Sequence, residues 1–128
     1  MTPEIALVWP ELKNAGAYPP AAYAFVQEGL RRTCDRLIEH ERDTLGVSRH
    51  VSGQELCIGL RDHAVERFGF LARTVLESWG VRRTEDFGRI VFAMVEAGLL
   101  RKTDEDSLDD FTDVFDFDEA FEPSAETA

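Results

Sequence analysis

Residues 98–121 read GLLRKTDEDSLDDFTDVFDFDEAF, and the fold class turns on them. Gly98 stops a helical pattern; Leu99 and Leu100 follow at once, then Arg101, Lys102 and Thr103. This order suits a short strand leaving a helix. An acidic loop from Asp104 to Asp110 comes next. Val114, Phe115 and Phe117 then alternate with acids, the period of a half-buried returning strand, with Phe121 as an anchor. A β-hairpin after compact helices is the order of a winged helix. The expected fold is therefore mainly α, four helices with a C-terminal β-hairpin, winged-helix-like. A plain helical bundle is the competing reading.

The helices upstream follow from apolar spacing. The first starts after Pro19-Pro20, since proline suits a first helical turn, and fades near Arg42 to Gly46. Tyr23, Val26, Leu30, Cys34, Leu37 and Ile38 form its stripe. The second opens on Ser52-Gly53-Gln54-Glu55, a capping box, and buries Leu56, Cys57, Leu60, Ala64 and Phe68 up to a stop at Gly69. The third is short, with Leu71, Ala72, Val75, Leu76 and Trp79 on one face. The fourth starts with Thr84 as N-cap and points Phe87, Ile90, Val91, Met94 and Val95 inward. Residues 1–18 read as irregular, punctuated by prolines, with Ile5 to Trp9 a short strand or a docked segment. Residues 19–121 then form one domain carrying the acidic hairpin, and residues 122–128 a disordered tail.

A chain of 128 residues is long enough for one core without metal or disulfide staples. Its net charge of −11 is unevenly placed. Residues 103–128 hold 11 of the 25 acids and no base, so residues 1–102, with the remaining acids and all 14 Lys and Arg, are neutral by count. Two widely spaced cysteines, Cys34 and Cys57, fit a reducing compartment. No export signal is read at the N-terminus, and no stretch approaches the ~18 apolar residues of a membrane span. The expected location is the cytoplasm, away from membranes.

The runs His50-Val51-Ser52-Gly53-Gln54-Glu55-Leu56, Trp79-Gly80-Val81, Thr84-Glu85-Asp86-Phe87-Gly88 and Glu96-Ala97-Gly98-Leu99-Leu100 occur in that order, followed by Asp110-Phe111 and Phe115-Asp116-Phe117. As a set they resemble an uncharacterised family of small proteins from planctomycete and verrucomicrobial bacteria. The resemblance spans roughly residues 18–121. It implies a bacterial cytoplasmic protein and brings no activity with it.

Catalytic and metal chemistry lack their parts. No two of Cys34, Cys57, His40, His50 and His63 stand three or four apart, as zinc ligands on a helix would, so they read as core cysteines and surface or boundary histidines. The acids from Asp104 miss the calcium-loop pattern, with Asp109 where glycine belongs and Phe115 where a bidentate glutamate belongs. Ser52 is better used as a cap than as a nucleophile. No catalytic residue, cofactor or metal ligand is assigned, and no enzyme activity is expected.

The acidic segment is the most distinctive feature, because solubilising tails lack aromatics. Asp109, Asp110, Phe111, Asp113, Phe115, Asp116, Phe117, Asp118 and Phe121 form the candidate interaction set, suited to a protein partner with a basic surface. That makes the chain a non-enzymatic interaction or adaptor module. The alternative is a winged-helix-like regulator whose acidic segment masks a weak nucleic-acid surface around Arg82, Arg83, Arg101 and Lys102. Nucleic-acid binding is the weaker reading, since the fourth helix presents Glu85, Asp86, Gly88, Arg89 and Glu96 outward, one base among three acids.

Overall fold

The computed structural model describes residues 3–15, 18–42, 51–100 and 107–121. Helices α1 (Pro3–Ala15), α2 (Pro20–Arg42), α3 (Gly53–Phe68), α4 (Ala72–Ser78), α5 (Thr84–Glu96) and α6 (Phe117–Ala120) follow in order, with 3₁₀ turns at Gly69–Leu71 and Leu108–Phe111. Among the described residues there is no strand, so neither the β-hairpin nor the winged-helix order is present. The fold is a helical bundle.

Local chemistry explains the missing hairpin. Gly98 has φ +86°, a left-handed conformation that ends α5. Its N–H donates to Val95 O at 3.1 Å and that of Leu99 to Met94 O at 2.9 Å, so Leu99 folds back on the helix instead of starting a strand. The same paired bonds end α4 at Gly80, also at φ +86°, and send Val81 into the core. Further on, Ser107 and Asp116 each cap a helical turn, and Asp113 at φ +51° breaks the extended run between them. The phenylalanines at 111 and 115, and at 117 and 121, are four apart, which is a helical spacing.

The N-terminal expectation also needs correction: residues 3–15 are helical, not irregular. Pro3 sits at the first helical position, and Ile5 and Leu12, seven apart, are fully buried. Burying that stripe offsets the backbone bond that Pro10 removes inside the helix. Trp9 meets Tyr23 of α2 edge-on at 6.1 Å, and Gln27 Nε2 donates to Glu4 Oε2 at 2.7 Å.

α2 and α3 form the main seam. A Cβ at Gly29 would overlap Leu60, and one at Gly59 would overlap the Thr33 hydroxyl, so the two glycines set how closely the helices approach. The Ser52 capping box opens α3 as expected. His63, expected at the surface or boundary, is instead 2% exposed in this seam, stacked on Phe25 with ring centroids 5.0 Å apart. Burial pushes its pKa down, against the pull of Glu28, whose Oε1 lies 3.4 Å from Nε2. Phe25, Phe68 and Trp79 extend the aromatic layer, while Leu71, expected on the buried face, is exposed in the 3₁₀ turn beside Phe70. The expectations for Ile38, His40, His50, residues 101–106 and residues 122–128 lie outside the described side chains.

Candidate interaction surface

The acidic segment packs onto the bundle through a seat of two glycines. A Cβ at Gly88 of α5 would stand 2.8 Å from Phe111 Cγ, and one at Gly53, the first residue of α3, 2.7 Å from Asp110 Cβ. Only a bare backbone at both positions lets the 3₁₀ turn lie this close. Phe111 fills the notch and meets Phe92 edge-on at 6.2 Å. Asp110 lies at the start of α3, where the helix dipole favours an acid.

Thr84 fastens the seat. It is fully buried and is the first residue of α5, while Arg83 holds the N-cap position assigned to it. Its hydroxyl donates to Phe111 O at 2.6 Å and accepts from Val114 N at 3.1 Å. One side chain thus satisfies two backbone groups of the acidic segment. Asp86 replaces the expected cap. Its Oδ2 accepts from the N–H groups of Arg82 at 2.8 Å and Arg83 at 3.2 Å, and its Oδ1 from Tyr18 at 2.6 Å and Arg89 at 2.7 Å. These bonds hold its pKa below the usual carboxylate range in spite of burial, and burial with the Asp86 bond raises Tyr18 to about 12. Asp86 and Gly88 therefore face inward rather than outward.

The nine expected interaction residues divide by chemistry. Phe111 and Phe117 are 4% exposed and Phe121 8%. Phe117 stacks on Phe115 at 5.6 Å and meets Phe121 edge-on at 5.1 Å, with Phe87 of α5 behind it at 6.1 Å. Phe115 is half-buried, as is Asp110. Asp109, Asp113, Asp116 and Asp118 are exposed, joined by Glu119. Phe111, Phe117 and Phe121 are core, and the exposed acids are carried on a segment fixed to that core. Burying each of the three deepest rings contributes roughly 1.5–3 kcal/mol, so the segment is part of the domain. Asp118 ion-pairs with Arg73 of α4, which also holds Glu77 at 3.1 Å.

The contacts that buried Thr84, Gly53 and Gly88, and Arg73 beside them, make with this segment escaped the sequence reading. A glycine inside a strongly apolar-periodic helix was the available signal for Gly88, since it costs about 1 kcal/mol against alanine unless something needs the space. Among the described residues no three His, Cys, Asp or Glu side chains gather in a way that could hold a metal ion. Among them, too, no helix is long and apolar enough to cross a membrane. Comparison with protein-family models, with curated proteins and with solved structures finds no match.

Proposed function

We propose that the protein is a non-enzymatic interaction module that presents a fixed acidic ridge to a protein partner with a basic surface. The observation that carries this reading is the division within residues 107–121: Phe111, Phe117 and Phe121 are buried while Asp109, Asp113, Asp116, Asp118 and Glu119 stay exposed. Acids on a folded scaffold present one charge pattern at low ordering cost, unlike acids on a loose tail. Cys34 and Cys57 are free thiols, and burial raises Cys57 to about 12, which suits an unreactive cysteine in the cytoplasm.

Truncation before residue 107 would remove core phenylalanines, so the test changes charge instead. The full chain carrying Asp109→Asn, Asp113→Asn, Asp116→Asn and Glu119→Gln should melt like the parent. Affinity capture from source cells with both proteins should then lose a basic partner for the variant only, and lose it for the parent at high salt. Identical captured sets from two equally folded proteins would overturn the proposal.

A further inference from the structure

Three arginines converge beside the acidic segment. Arg73 comes from α4, and Arg82 and Arg83 from the turn leading into α5; together they wall an open cleft of about 270 Å³. Asp113, Asp116, Asp118 and Glu85 line the same cleft. Arg73 is committed to Asp118 and Glu77. Arg82 and Arg83 are exposed, and among the described residues neither side chain is in an ion pair. Their main chain is nevertheless held still, because both N–H groups donate to Asp86. Guanidinium groups with no carboxylate partner, carried on a fixed main chain, are suited to phosphate oxygens, which they bind through paired N–H bonds.

Three guanidinium groups face four carboxylates, so the cleft is close to charge balance and turns away free anions. The carboxylates cannot diffuse off, since Phe111 and Phe117 anchor the segment on both sides of Asp113 and Asp116. We propose that the cleft is a recognition site for small phosphate-bearing anions, opposed in the free protein by the charge of Asp113, Asp116 and Asp118, of which Asp118 already occupies Arg73. A basic partner that takes up these acids removes their repulsion and releases Arg73 from Asp118. This last step rests on the interaction reading above, whereas the cleft itself is testable with no partner present.

The test uses the full chain with Asp113→Asn, Asp116→Asn and Asp118→Asn. Asparagine tolerates the left-handed backbone at 113, retains the cap at 116 and matches the shape at 118. Calorimetric titration with inorganic tripolyphosphate at low salt should show the variant binding about tenfold or more tightly than the parent, with the gain shrinking as salt rises. Adding Arg82→Gln and Arg83→Gln should abolish that gain. The single Asp118→Asn protein, which loses only the Arg73 pair, should show a smaller gain in the same direction. Equal binding by parent and triple variant, or a gain that survives the arginine replacements, would overturn the proposal. So would binding of a single-stranded oligonucleotide without tripolyphosphate, which would place phosphate recognition on an open surface instead of in the cleft.

Discussion

Replacing Gly88 with alanine sets two opposing effects against each other. Inside α5 the change favours the helix by about 1 kcal/mol. The new methyl, however, would stand 2.8 Å from Phe111 Cγ and 2.9 Å from its Cβ. Those atoms are the base of the side chain, so rotation about χ angles does not relieve the overlap and the 3₁₀ turn has to lift. Lifting it forfeits much of the Phe111 burial, about 1.5–3 kcal/mol, and the bond from Thr84 to Phe111 O, about 1 kcal/mol. The expected net loss is about 1.5–3 kcal/mol, a drop of roughly 5–15 °C in the unfolding midpoint for a chain of this size. Thermal and urea unfolding followed by circular dichroism would measure it. A double-mutant cycle isolates the cause: with Phe111→Gly, which removes both Cγ and Cβ, the notch has room, and Gly88→Ala should become stabilising by about 1 kcal/mol. A higher midpoint for Gly88→Ala in the parent protein would refute the seating described here.

Thr84→Val keeps the shape but strands Phe111 O and Val114 N, for a cost of about 1–3 kcal/mol, while Thr84→Ser should lose less; amide exchange at Val114 should quicken in the valine protein alone. His63 has a folded pKa below its unfolded value, so the neutral ring is favoured in the fold. The associated stability is complete above the unfolded value near 6.5 and is lost as pH falls through the folded value. Urea midpoints at pH 7.5 and pH 5 should therefore differ more in the parent than in His63→Leu, and equal differences would exclude the histidine as the source. The buried Tyr23 hydroxyl has no well-formed hydrogen bond among the described residues, so Tyr23→Phe should change stability by about 0 to +1 kcal/mol. A clear loss on calorimetric melting would reveal a partner for that hydroxyl.

Apolar spacing makes α2, α3 and α5 legible because each buries one stripe, and the Ser52 capping box fixes the start of α3. Two regions mislead for physical reasons. Proline punctuation hides α1, where the seven-residue interval from Ile5 to Leu12 outweighs Pro10. In the acidic segment, alternation of Asp and Phe over 115–118 imitates a strand, but intervals of four between phenylalanines and caps at Ser107 and Asp116 select turns. The acids and rings of that segment are legible, but not how they divide. Their split into core rings and surface acids depends on Gly53, Gly88 and Thr84, which are far away along the chain and give no local sign of the contact.

The Thr84 bond to Phe111 spans 27 residues, which sets an order of events during synthesis. At ~5–20 residues per second, the threonine and the two-glycine notch exist for about 1–5 s before the ring that fills them has been made. Where α3 and α5 come together ahead of the ring, the domain has an apolar slot and an unanswered hydroxyl at its surface. A nascent chain stalled in this window would offer chaperones, or a neighbouring copy's phenylalanine, the same notch that Phe111 later closes.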